Sequence, residues 1–162
     1  MKSIDDNLNF MTTLNTNITI KTFDNWGDNI GYYGPVINFV IGFVFLIKQP
    51  IYLSSYLVFT SINTMINTIL KNTIKEPRPI NEPESYGMPS LHTQGIFFVT
   101  SYLYFVQQSI MILLFELFIS CFTIYQRWKY KKHTLNQLLV GSLLGIIIAY
   151  ISVTITENFL IN

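Results

Sequence analysis

Both histidines and both arginines of this 162-residue chain fall in two loops, together with most of its lysines. One loop, "KNTIKEPRPINEPESYGMPSLH", runs from Lys71 to His92, and the other, "QRWKYKKHT", runs from Gln126 to Thr134. Histidine titrates near neutral pH without perturbation, which makes His92 and His133 the natural acid and nucleophile candidates. Arg78, Arg127 and Lys71 offer fixed positive charge, and arginine forks match tetrahedral oxyanions. Pro89-Ser90-Leu91-His92 stands directly before an apolar run, so Ser90 is placed as a helix N-cap. The free amides around it then point at an anion. Fixed cations, free amides and a titrating base are what a phosphate site at a membrane interface requires.

The surroundings of these loops are apolar. Half of the residues are hydrophobic, 15% are aromatic and only 12% are charged, with a mean hydropathy of +0.38. That balance belongs to a membrane protein rather than to a soluble domain of this length. A membrane-crossing helix needs roughly 20 mostly apolar residues. Stretches at about 31–47, 51–70, 91–106, 109–125 and 135–154 approach that length. The expected fold is an all-α integral-membrane bundle of about five transmembrane helices, formed by residues 31–162 behind a polar tail of residues 1–30. The tail has no basic start, apolar stretch and small-residue cleavage site, so the first helix is expected to direct insertion. Trp26, Tyr32 and Tyr33 sit where an interfacial aromatic belt lies.

Short connections at Lys48 to Pro50 and at Gln107-Gln108 make successive spans antiparallel. The two charged loops and the N-terminal tail therefore share one membrane face. That face carries Lys71, Lys75, Arg78, Arg127, Lys129, Lys131 and Lys132, against Lys48 on the other before the C-terminus. The bias argues for a cytoplasmic face, but an anion site is basic for its own reasons, so charge alone does not decide sidedness. With a net charge of +1 and no basic stripe interleaved with exposed aromatics, nucleic-acid binding is excluded. Cys121 has no cysteine partner and reads as a small buried apolar residue. Gly141 and Gly145, four apart, read as a close helix packing pair.

Taken in order, Lys71 with Arg78-Pro79, then Pro89-Ser90-Leu91-His92, then Arg127 with His133 and Gln137 resemble the three-part signature of the type 2 phosphatidic acid phosphatase superfamily. The wording of "KEPRP", "YGMPSLHTQ" and "HTLNQ" is similar to its dolichyl diphosphatase branch, which also has Gln where most of the superfamily has Asp. The likeness runs from about Gly31 to Tyr150. It implies that His133 attacks phosphorus to form a phosphohistidine, that Gln137 holds the other imidazole nitrogen and that His92 protonates the leaving phosphate. Lys71, Arg78, Ser90, Arg127 and the Leu91 amide would hold the phosphoryl oxygens, with no metal and no cofactor. A polyprenyl diphosphate in the bilayer is the implied substrate, and the lumenal face of the endoplasmic reticulum the implied location. Leu91 stands where much of the superfamily has Gly, and Gln126 where it has Ser.

Plainer roles exist for several of these residues. Thr134 to Gln137 fits a capping box at the start of the fifth helix, a role compatible with catalysis because it would also hold His133. Lys129, Lys131 and Lys132 read as a solvated anchor near lipid headgroups. Glu116, in the middle of an apolar run, reads as a protonated, hydrogen-bonded residue facing the bundle. Glu76, Glu82 and Glu84 lack metal-site geometry and are expected to pair with nearby basic side chains. Asn17-Ile18-Thr19 is a glycosylation sequon in the tail.

Overall fold

The computed structural model describes residues 26–80 and 86–161. The polar tail, its Asn17 sequon and Glu82 and Glu84 lie outside the described residues. Five α-helices follow one another: α1 (Trp26–Leu46), α2 (Pro50–Ile74), α3 (Leu91–Gln107), α4 (Ile110–Lys129) and α5 (Leu135–Thr156), with a π-helical turn at Glu157–Ile161. Their ends follow local chemistry. Pro50 opens α2, where a missing N–H costs nothing. Lys75 ends it in a left-handed conformation at φ 54°, donating its N–H to Lys71 O. Ser109 caps α4, accepting from Ile112 N. At the start of α5, Thr134 and Gln137 form the expected capping box, with 3.2 Å bonds in both directions.

The helices run alternately up and down. Asp28, at the start of α1, accepts from Lys129 Nζ at 2.8 Å and Tyr130 Oη at 3.0 Å, so the N-terminal end of α1 lies beside the α4–α5 loop. Lys129 is thus half of a tertiary ion pair rather than a solvated anchor, because its partner is almost wholly buried. At the other end Gln107 Nε2 approaches Phe45 O.

α3 is the central helix and packs on each of the other four. Its packing against α5 depends on the glycine pair. A Cβ on Gly141 would stand 2.6 Å from Ser90 O, and one on Gly145 would stand 2.8 Å from Phe98 N and meet Gln94 O. α1 approaches α4 in the same way, Gly31 against Gln126 and Gly34 against Thr123. Away from the charged loops the core is aromatic, with the rings of Tyr56, Phe98 and Tyr102 in mutual contact at centroid separations of 5.4–6.1 Å. Nearer the loops it turns polar, with Asn63, Asn67 and Gln94 buried.

Among the described residues three helices, Trp26–Leu46, Ile110–Lys129 and Leu135–Phe159, are long and apolar enough to cross a membrane. α3 has 17 residues, and α2 carries Asn63 and Asn67 on its inner face. α3 is the helix that packs on all four of the others. Cys121 is exposed on α4 rather than buried, because the inner face of that helix is formed by Glu116, Ile119, Ser120 and Thr123. Glu116 faces the bundle as expected and is fully buried, with Thr100 beside it but neither carboxyl oxygen in a well-formed hydrogen bond. Its expected hydrogen bond is therefore not found among the described residues.

Replacing Gly145 with Val forces α3 and α5 apart at a backbone contact that cannot yield. The expected loss is about 1–3 kcal/mol of stability, read as a lowered melting temperature in detergent. Val at Leu143, on the outward face of the same helix, should leave it unchanged.

Candidate active site

His133 lies between α4 and α5, and its side chain is only 2% exposed. Its Nδ1 is 3.0 Å from Gly87 O and 3.2 Å from Gln137 Oε1. The orientation of the Gln137 amide is settled by its other contacts. Nε2 donates to Glu76 Oε1 at 2.8 Å and to Pro77 O at 2.9 Å, while Oε1 accepts from Thr134 N. Both neighbours of Nδ1 are thus acceptors, so Nδ1 carries the proton. Nε2 is left with its lone pair, the form in which an imidazole acts as a nucleophile.

Gly87 makes this arrangement possible by having no side chain. A Cβ there would stand 2.5 Å from Gln137 Nε2 and 2.6 Å from its Cδ. Gly87 N donates to Glu76 O at 2.7 Å, which carries the 86–90 segment across the top of α2. Lys71 Nζ donates to Tyr86 O at 3.2 Å and draws that segment down.

Burial pulls the His133 imidazole down from the ordinary histidine range to about 3, and the positive charges of Arg127, Arg78 and Lys71 reinforce the shift. The Gln137 contact acts the other way. The three cations expected around an anion are therefore all close enough to act on the imidazole. Arg127 is buried in the last turn of α4, and Arg78 is partly buried.

Ser90 occupies the N-cap position of α3, but its hydroxyl does not cap the helix. The Ser90 side chain is fully buried and its Oγ has no hydrogen-bond partner among the described residues. Ser90 N donates to Gln137 O at 3.1 Å, and the first amide of α3 to bond back is Gln94 N, to Ser90 O. The amides of Leu91, His92 and Thr93 come before that first helical bond. His92 is partly buried in this first turn, its ring 6.3 Å from that of Tyr32. Leu91 is exposed. All eight residues singled out from the sequence thus lie at one end of the bundle.

Sequence reasoning missed the residues that act through backbone carbonyls. Nothing in the chain marked Gly87 O as an acceptor for His133, or Pro77 O for Gln137. Glu76 was expected to pair with a basic side chain and accepts from Gln137 instead, since the capping turn brings that amide to it. Asp28, which ties α1 to the loop that carries His133, was also missed.

Comparison with known proteins places the chain in a family. A model of the PAP2 superfamily matches residues 52–160, from α2 to the π-helical turn. The chain belongs to the PAP2 superfamily. Among curated proteins, dolichyldiphosphatase 1 of Plecturocebus moloch is 40% identical over 76 residues, covering 43% of this PAP2 chain and 32% of the relative. The Homo sapiens protein of the same name is 39% identical over 39% of this chain and 29% of its own length. That of Dictyostelium discoideum is 34% identical over 52% of this chain and 44% of its own. The matched stretch is thus less than half of each of these relatives. Two crystal structures share the fold. Aquifex aeolicus LpxE has a TM-score of 0.66 at 20% identity, covering 85% of this chain and 89% of its own. The first transmembrane PAP2 type phosphatidylglycerolphosphate phosphatase from Bacillus subtilis has a TM-score of 0.57 at 16% identity, covering 94% of both chains.

The depressed His133 value has a consequence for stability. Unfolded, the imidazole takes up a proton near pH 6.5; folded, it does not until about pH 3. Its contribution is therefore intact above pH 6.5 and lost as pH falls towards 3, by at most about 1.4 kcal/mol per pH unit. Melting temperatures in detergent should fall across that window in the wild-type protein and fall less steeply in His133→Ala.

Proposed function

We propose that this chain is a membrane phosphatase that hydrolyses dolichyl diphosphate to dolichyl phosphate and inorganic phosphate through a phosphohistidine. The observation that carries this reading is the protonated Nδ1 of His133, held by Gly87 O and Gln137 Oε1, which leaves a neutral Nε2 among three cations. In this reading His133 Nε2 attacks the terminal phosphorus. The bond from phosphorus to the bridging oxygen breaks, and His92 gives the departing dolichyl phosphate its proton. Water then attacks the phosphohistidine and gives a proton back to His92, releasing inorganic phosphate and restoring neutral His133. Lys71, Arg78 and Arg127, with Ser90 Oγ and the Leu91 amide, hold the non-bridging oxygens and stabilise the charge that spreads over them. Gln137 keeps the attacking tautomer.

The lipid class is supported by the resemblance of "YGMPS" and "HTLNQ" to dolichyl diphosphatases and by the matched relatives. It is further supported by an apolar groove of about 250 Å³ between α1, α2 and α3, lined by Pro35, Val36, Phe39, Leu91, Gly95 and Phe98 among others. Leu91 follows Ser90 directly, so the groove leads from the phosphate end into the membrane-facing side of the bundle. A prenyl tail would lie there. In the same reading the site faces the lumen of the endoplasmic reticulum and recycles the lipid carrier of N-glycosylation. Protease protection of the α4–α5 loop in sealed microsomes tests the sidedness.

Phosphate release should be measured in detergent without added metal, from dolichyl diphosphate and from phosphatidate. The expected result is a clear preference for dolichyl diphosphate and loss of release in His133→Ala, with that variant still folded in the membrane. Preference for phosphatidate would replace the substrate, and full turnover by His133→Ala would end the mechanism.

The groove makes a separate prediction. A Cβ on Gly95 meets nothing within 4 Å, so Gly95→Phe should fold with its ring in the groove. It should raise KM for dolichyl diphosphate by roughly 10–100-fold, and KM for the short isopentenyl diphosphate far less.

A further inference from the structure

Beside the phosphoryl site lies a set of hydrogen-bonded, buried amides to which the mechanism above gives no role. Asn63 and Asn67 come from α2 and Gln94 from the first turns of α3, and all three are almost wholly buried. Gln94 Nε2 donates to Asn63 O and to Asn63 Oδ1, each at 2.9 Å. With both of its hydrogens committed, the Gln94 amide has one orientation, and its Oε1 accepts from Asn67 Nδ2 at 2.7 Å. The second hydrogen of Asn67 Nδ2 is thereby aimed at Pro89 O, 3.3 Å away.

Pro89 O and Ser90 N belong to the same peptide unit. Its oxygen is held by Asn67 of α2, and its N–H by Gln137 O of α5 at 3.1 Å. Two contacts on opposite edges fix the rotation of that peptide plane, and the plane sets where Ser90 Oγ and the first amides of α3 point. Lys71 lies one helical turn beyond Asn67 on α2, so the same helix face holds Tyr86 O at one end of the segment and Pro89 O at the other. An apolar triad would fill the same space, but only directional bonds specify one plane.

We propose that Asn67 and Gln94 are positioning residues of the phosphoryl site, acting through the Pro89–Ser90 peptide. This rests on the reading of Ser90 and the start of α3 as phosphoryl-binding. Asn67 touches no reacting atom; it turns the peptide, and Gln94 aims Asn67.

The test uses orthovanadate, which occupies the place of the transferred phosphoryl group, on the full chain in detergent. Its inhibition constant does not depend on how much protein is folded, so it separates positioning from mere stability. Asn67→Leu and Gln94→Met should raise the vanadate inhibition constant and lower kcat by about tenfold or more, with KM for the lipid little changed. Asn67→Asp keeps the shape but replaces the donor with an acceptor, and should lose as much. It also carries the test should Asn67→Leu fail to fold. A vanadate constant and kcat per folded molecule unchanged in these variants overturn the proposal while leaving the phosphatase reading intact. A wild-type chain that neither releases phosphate nor responds to vanadate overturns that reading itself, and this one with it.

Discussion

Gln137 bonds to three separate segments of the chain at the site. Its side chain accepts from Thr134 N, lies 3.2 Å from His133 Nδ1 and donates to Glu76 Oε1 and Pro77 O, while its backbone oxygen accepts from Ser90 N. The three segments that hold the charged residues, following α2, preceding α3 and preceding α5, thus meet on one fully buried amide. A buried amide that leaves donors unmade costs about 1–3 kcal/mol for each, so the segments are held in one arrangement rather than several. An amide suits this place because it offers donors to two acceptors and an acceptor to two donors. The carboxylate found here in most of the superfamily, as the resemblance has it, has no N–H for Glu76 or Pro77.

The rest of the bundle serves that meeting point. Glycines at 31, 34, 141 and 145 let α1 close on α4 and α5 on α3. Close packing of α5 on α3 is what lets Ser90 reach Gln137. Asp28 fastens α1 to the loop that leads from Arg127 to His133, and so bears on the site. The aromatic core is confined to the opposite half of the bundle, leaving the charged end to be ordered by hydrogen bonds. This division also explains how three cations are tolerated beside a nearly buried imidazole: the imidazole stays neutral.

Several sequence expectations changed for one reason, which is that a sequence reports residue type but not which way a helix turns it. Cys121 was read as buried, and the rotation of α4 turns it outward, while Glu116 of the same run faces inward as expected. Lys129 was grouped with Lys131 and Lys132 by composition, and its pairing with Asp28 became visible only when α1 was placed beside the loop. Ser90 stands at the N-cap of α3 as expected, but Thr93 Oγ1 and Gln94 N bond Ser90 O while its hydroxyl has no partner among the described residues.

The helical class, the antiparallel order and the end of the bundle that carries the charge were all legible in the chain, because apolar run length, short connections and the placement of basic residues are local properties. That the eight candidate residues gather at that end was legible too, since their placement around helix starts is part of the sequence. The tautomer of His133 was not. It depends on Gly87 O and on the orientation of the Gln137 amide, and that amide is oriented by Glu76 and Pro77, about sixty residues away. Backbone carbonyls are the same in every residue type, so only the folded chain decides which of them becomes a partner.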